Sequence, residues 1–353
     1  MFEPKFSITQ EILKSVGVIE AAREVIERAV LVPKYEAEFR KEALVRTVHY
    51  GTKLEGNDLS LAQAEKVVAG ETITARDRDI QEVINYRAVM EYLDRLKEKA
   101  ADKEEWQYSE AQFKKIHRLT TERILPEHEV GEYRQIQVVV RNLQTQEISF
   151  RPPPAVEVPY QIEDWLSWLN SMTGGKVHPI LRAGITHYEL ARIHPFVDGN
   201  GRAARAMALL VLFLEGYEVK KFFSLEEYYD QHAKGYYGAL QSVGQMEGDV
   251  TEWLQFFVAG LAEELGRIKD RVVELSALSQ VSQPGGAQVA LSERQIKILE
   301  AIRAHGGQIT TKEVREVIKM VSKDTVIRDL NDLIDKGVVE KEGSTKASRY
   351  RLI

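Results

Sequence analysis

Apolar residues recur at helical spacing along most of the chain and alternate as in a strand only in short stretches. Ile12, Leu13, Val16, Val18 and Ile19 predict one or two short amphipathic helices between Ser7 and Val30, broken at Pro33. Phe39, Leu44 and Val48 mark a helix from Glu36 to Val48. It runs into a polar turn, Gly51 to Ser60, that caps a further helix near Leu61. Asp77 to Ala100 and Ser109 to Ile124 have the composition and spacing of two more helices.

The β-like region lies at Gln135 to Val140 and Glu147 to Phe150, read as a hairpin that must rest on the helices and can offer its edge to an extended peptide. A stiff connector, Pro152 to Pro154 with Pro159, follows. Tyr160 to Asn170 is a helix with Trp165 and Trp168 in the core, and His178-Pro179 opens another that ends at Ile193. Ala203 to Glu215 is apolar on all sides, so this helix is the buried spine. A capping-box pattern at Ser224 starts the next helix, and Thr251 opens a long one reaching Leu275. After a composition change at residues 279–290, helix, helix, turn, helix and hairpin give the order of a winged helix-turn-helix, with Ser322 capping a recognition helix that carries Thr325, Arg328 and Asp329.

Between the two central helices runs His194-Pro195-Phe196-Val197-Asp198-Gly199-Asn200-Gly201-Arg202-Ala203-Ala204-Arg205. Gly199 and Gly201 permit positive φ and close approach, and the N–H groups from Gly199 to Arg202 form a candidate anion nest at a helix start. Two cations, Arg202 and Arg205, oppose the dipole there, so a polyphosphate is the natural counter-charge. Asp198 would repel it unless Mg²⁺ lies between them, and His194 is placed to accept a proton from an attacking hydroxyl. A zinc cluster of His178, His187, His194 and Asp198 is a weak reading, because no i, i+4 histidine pair supports it.

Composition adds limits. Cysteine is absent, which removes disulfides and thiolate chemistry and suits a reducing cytoplasm. No apolar run approaches a membrane span. The net charge of −6 argues against wholesale coating of nucleic acid, yet residues from Leu291 onward hold 13 basic against 10 acidic side chains, +3 by difference. That excess permits DNA contact, while Asp324, Asp329, Asp332 and Asp335 weaken it, so a protein-binding or structural winged helix stays equally open.

The run from His194 to Arg205 resembles the motif of the Fic family at every fixed position, and GEYR at 131–134, the hairpin, the proline run and YYGAL at 236–240 extend the resemblance. It implies an all-α Fic-like helical core with a small β-hairpin flap, joined to a C-terminal winged helix. The expected boundaries are an N-terminal helical region at 1–110, the catalytic core at 111–278, a linker at 279–290 and the winged helix at 291–353. The implied activity is transfer of AMP from ATP to a Ser, Thr or Tyr hydroxyl of a protein target. In that reading His194 is the base and Phe196 anchors the loop. Asp198 holds Mg²⁺, and Gly199, Asn200 and Gly201 cradle the α- and β-phosphates. Arg202 neutralises the leaving pyrophosphate, Arg205 meets the γ-phosphate and Tyr237 lines the base pocket.

The run TKLEGN at 52–57 is similar to the family's inhibitory motif, which implies that Glu55 pairs with Arg205 and blocks the γ-phosphate. Gly51 stands where that motif has Ser or Thr. In some members the same glutamate supports removal of AMP. A homodimer in the cytoplasm is expected. The rival readings are a de-AMPylase or related phosphoryl-type transferase, and a DNA-binding regulator that uses the core as a sensor.

Overall fold

The structure, a computed structural model, describes every residue except 1, 30, 32, 104, 142–147, 280–290, 319–320, 344–347 and 353. The expected linker and the turn of the hairpin therefore lie almost wholly outside the described residues. The chain divides into two compact units, Met1–Glu27 with Ala37–Ile268 and Arg28–Glu36 with Lys269–Ile353.

The first unit is helical. A single helix, α1 (Gln10–Arg28), takes the place of the one or two expected, and α2 (Pro33–Lys53) runs five residues past the expected end. Gly56, at φ 92°, terminates α2, with Gly56 N–H donating to Lys53 O and Asn57 N–H to Thr52 O. α3 (Leu61–Val68) and α5 (Glu110–Thr121) both start on capping boxes, Ser60 with Gln63 and Ser109 with Gln112. Between them lies α4 (Asp77–Ala101).

The flap is shorter than the alternation suggests. Among the described residues, Val140–Arg141 (β1) pairs with Ile148–Phe150 (β2), antiparallel. Residues 135–139 are not a strand: the Ile136 carbonyl accepts from the Arg134 side chain, and the Gln137 side chain donates across to Pro152 O. The chain continues through α6 (Val158–Leu169), α7 (Met172–Lys176), α8 (Pro179–Ile193) and α9 (Asn200–Leu214).

α9 is the spine: from Ala203 to Phe213 every residue is buried, and it packs on α4, α5 and α8. α10 (Leu225–Gln231), α11 (Ala233–Gln245) and α12 (Thr251–Ser279) complete the sequence of helices. The expected capping box at Ser224 does not form. Its side chain makes no cap bond, and its backbone N–H donates instead to Glu264 Oε1 (3.0 Å).

In the second unit α13 (Glu293–Ala304), α14 (Thr311–Val317) and α15 (Lys323–Asp335) are joined by a three-stranded antiparallel sheet. The hairpin Val339–Glu342 (β4) and Arg349–Leu352 (β5) was expected; β3 (Gln308–Thr310), which pairs with β5, was not, since three residues carry little alternation. This is the helix-and-strand order of a winged helix. Asp329 does not belong to the outward face of α15: it is buried and paired with Arg294 of α13 (2.7 Å).

Candidate functional site

The turn between α8 and α9 is fixed before any ligand is considered. His194 ends α8 in the left-handed region (φ 50°), and Gly199 starts α9 at φ 78°. The Asn200 side chain closes the loop, accepting from Phe196 N–H (2.8 Å) and donating to Phe196 O (2.9 Å). Phe196 is fully buried and stacks flat on His117, with ring centroids 3.6 Å apart. Asn200 is thus spent on the turn, and only its backbone N–H can face an anion.

Two residues without assigned roles in the sequence brace this loop. Arg134, of the GEYR run, donates to the carbonyls of His194 (2.9 Å), Pro153 (2.6 Å) and Ile136 (3.1 Å), while its own N–H donates to Pro195 O. His117 accepts from Gly131 N–H at Nδ1, so its Nε2–H donates to Asp198 O (2.9 Å). That arrangement needs a neutral ring, and burial holds its pKa down to about 4.

Acid sensitivity follows. The unfolded chain protonates His117 near 6.5, whereas the folded one resists until about 4, so the stabilisation is complete above pH 6.5 and is lost as pH falls toward 4. The loss from this group is about 3 kcal/mol. Urea unfolding between pH 7 and 4 is expected to show it, with a flatter slope in His117→Gln.

His194 presents a ring nitrogen able to accept a proton. Its Nδ1 lies 3.3 Å from Ala191 O, which only accepts, so Nδ1 is the protonated nitrogen and Nε2 keeps a lone pair. Burial lowers its pKa; Ala191 O, Glu55 and Asp198 oppose this, Arg134 adds to it, and the net shift is downward. The ring is therefore neutral at pH 7.

Asp198 accepts from Gly199 N–H (2.6 Å) and from Arg78 Nη2 (3.0 Å), with its side chain 40% exposed. Burial alone would raise its pKa, but Arg202, the Gly199 N–H and Arg78 outweigh it and keep the carboxylate ionised. Arg202 is 1% exposed, with its Nη1 ion-paired to the buried Glu82 at 3.1 Å, and its Nε has no hydrogen-bond partner. Arg205, 2% exposed, donates to Gly51 O (2.8 Å) and Glu55 Oε1 (2.9 Å).

The Glu55 carboxylate stands over the start of α9. Gly201 is helical rather than at positive φ, and what it needs is an absent side chain: a Cβ there would fall on Glu55 Oε1. The N–H groups of this first helical turn have no partner inside the helix. A carboxylate thus occupies the approach to an anion nest. Tyr237 reaches the same segment from α11, donating to Leu54 O (3.2 Å), and burial raises its phenol pKa.

Gly51 matters for the same placement. Any Cβ there would collide with the Tyr86 ring. Gly51→Ala is expected to cost about 1–3 kcal/mol, read as a lower denaturant midpoint, because α2 must move off Tyr86.

His178 and His187 do not join His194. His187 is buried against Tyr236 (2.9 Å), and among the described residues no group of three His, Asp or Glu side chains is placed to hold a metal. The missed residues Arg78, Glu82, His117 and Arg134 lie on elements remote from the turn in sequence, and only Arg134 stood in a run the sequence had marked.

A buried spine helix entered through a Gly-Asn-Gly turn, with a histidine at the end of the preceding helix, is the arrangement of a Fic-like helical core. Residues 107–212 match the model of the Fic/DOC family. Residues 291–352 match the penicillinase repressor family model. A protein adenylyltransferase Fic of Aedes aegypti is 30% identical over 251 residues, 69% of this chain and 44% of that one; one of Drosophila grimshawi is 27% identical over 264, 71% and 49%. The chain thus spans less than half the length of these relatives. The crystal structure of a Fic family protein from Desulfovibrio desulfuricans superposes over 100% of this chain and 98% of its own, with a TM-score of 0.66 and 25% identity. No helix among the described residues is long and apolar enough to cross a membrane.

Proposed function

We propose that the chain is a protein adenylyltransferase restrained by its own Glu55. In this reading the Nε2 of His194 takes the proton of a Ser, Thr or Tyr hydroxyl on a target protein. The freed oxygen attacks the α-phosphorus of ATP, the bond from that phosphorus to the bridging oxygen breaks, and pyrophosphate leaves. The first-turn N–H groups of α9 and Arg202 stabilise the departing charge, with the unpartnered Nε of Arg202 as the supporting observation. Arg205 would meet the γ-phosphate. Gly199 sets the turn, and Gly201 leaves room for the phosphates. Tyr237 would line the base pocket once it releases Leu54 O.

Asp198 fits a magnesium ion of the nucleotide. It is ionised, partly exposed and has lone pairs beyond those used by Gly199 and Arg78, and Mg²⁺ is commonly held by one carboxylate with phosphate oxygens and water. The ion would supply charge neutralisation at the phosphates; holding it is the part of this chain's Asp198.

The observation that carries the reading is the Glu55 carboxylate, set on Arg205 and above Gly201 where an anionic ligand would lie. The test is incubation of the full chain with α-labelled ATP, Mg²⁺ and a cell lysate. Label on protein, raised in Glu55→Gly and lost in His194→Ala, supports the reading; no label in any variant refutes it.

The repressor match favours a second, separable activity: DNA binding by the winged helix. Lys323 and Arg328 are exposed on α15, while Asp329 and Asp332 turn to α13 through Arg294 and Gln295. A gel shift of the full chain on genomic fragments that weakens in Arg328→Ala supports it; no shift at low salt refutes it. A homodimer remains part of the proposal, with Val18 and Val25, exposed and seven apart on α1, as the apolar face.

A further inference from the structure

The Asp198 carboxylate already has a cation. Arg78, in the first turn of α4, donates from Nη2 to Asp198 Oδ2 (3.0 Å) and from Nε to Glu82 Oε1 (3.1 Å). The two ends of this guanidinium lie in different surroundings. The Glu82 side chain is 4% exposed, accepts on its other oxygen from Asn57 Nδ2 (2.9 Å), and also faces Arg202. The Asp198 end is open, with the Arg78 side chain 60% and Asp198 40% exposed. One contact is thus a buried anchor and the other an exposed pair of the weak kind.

We propose that Arg78 is a tethered counter-cation for Asp198. It holds the carboxylate at rest and yields it to the divalent ion that arrives with ATP, turning on its Glu82 anchor. The inference rests on the reading of Asp198 as the magnesium ligand. Its consequence is selectivity for the metal–nucleotide pair over the free metal. A hydrated ion alone must displace the guanidinium with water as its remaining ligands. An ion bound to triphosphate brings phosphate oxygens as well.

Arg78 therefore keeps Asp198 compensated without leaving a standing metal site. Glu82 is a positioning residue in this scheme, since it seats Arg78 and faces the buried Arg202 on the same oxygen.

The test measures binding and needs no turnover. Mn²⁺ is titrated into the full-length protein and the free-ion electron paramagnetic resonance signal is followed, with and without α,β-methylene ATP. The parent is Glu55→Gly, compared with the same chain carrying Arg78→Gln, Arg78→Lys or Asp198→Asn. Arg78→Gln is expected to tighten Mn²⁺ alone roughly three- to fivefold and to shrink the gain from nucleotide, with Arg78→Lys between the two. Circular dichroism melting of each variant shows that the fold is kept.

Unchanged Mn²⁺ affinity in Arg78→Gln, with binding lost in Asp198→Asn, overturns the Arg78 proposal and leaves Asp198 as the ligand. Weaker binding in Arg78→Gln also overturns it, and makes Arg78 a phosphate ligand instead. Binding that is undiminished in Asp198→Asn refutes the metal reading and the proposal with it.

Discussion

Glu55→Gly is expected to raise AMP transfer at least tenfold, which corresponds to about 1.4 kcal/mol of barrier. The wild-type carboxylate lies 2.9 Å from Arg205 and covers the start of α9, so in the proposed reading a triphosphate has to displace it from both places before it can settle. Removing it exposes the helix N-terminus and frees one guanidinium donor. The variant has a cost. Arg205 is 2% exposed, and burial without Glu55 leaves its charge less compensated, although Gly51 O still accepts from it and Glu226 still acts on it through its charge. Glu55→Gly is therefore expected to melt lower than wild type without ligand and to gain more from ATP, because a ligand that binds only the folded state stabilises it by mass action. Thermal melts with and without nucleotide check both parts.

His194→Ala is expected to lower transfer by a factor of about 10² to 10⁴, the range for removal of a general base. The fall should lie in kcat and leave the KM for ATP nearly unchanged, since no phosphate contact is assigned to His194. Steady-state kinetics in the Glu55→Gly background reads this split. The acidic limb of the pH profile gives a second check. His194 has its pKa lowered below 6.5, so kcat/KM should fall with decreasing pH only below that value. The Glu55 charge is among the influences raising that pKa, so its removal should move the limb further toward acid.

Much of this site was legible because its chemistry is contiguous. A base, a carboxylate, two glycines and two arginines lie within residues 194–205, and the apolar run after them fixes the helix that aims them. Glu55 was legible only through resemblance, since nothing local in Thr52 to Asn57 points to a partner beyond Ala203 in the chain. The residues that hold the site in shape were not legible. Arg134 acts by donating to main-chain carbonyls, and any residue type can supply a carbonyl. His117 is chosen by one N–H and one C=O that the fold brings to either side of its ring. Arg78 and Glu82 read as an ordinary i, i+4 pair on a helix surface, and only the packing of α4 against α9 brings Glu82 to the buried Arg202 and Arg78 to Asp198.

The strands show the same limit from the other direction. Gln135 to Val140 alternates well enough to predict a strand, yet hydrogen bonds from Arg134 and Gln137 hold much of it irregular. Ser224 has the residues of a capping box, but Glu264 takes its N–H first. In both places a tertiary partner outcompetes the local preference.

The central claim is transfer of AMP, and the position of the label on ATP tests it most directly. The Glu55→Gly chain is incubated in parallel with α-labelled and γ-labelled ATP, Mg²⁺ and lysate, and protein-bound label is counted after denaturation. Protein labelled from the α-position and not from the γ-position, with His194→Ala abolishing it, is the predicted result. Label from the γ-position, or equal α-label in the His194→Ala chain, would contradict it.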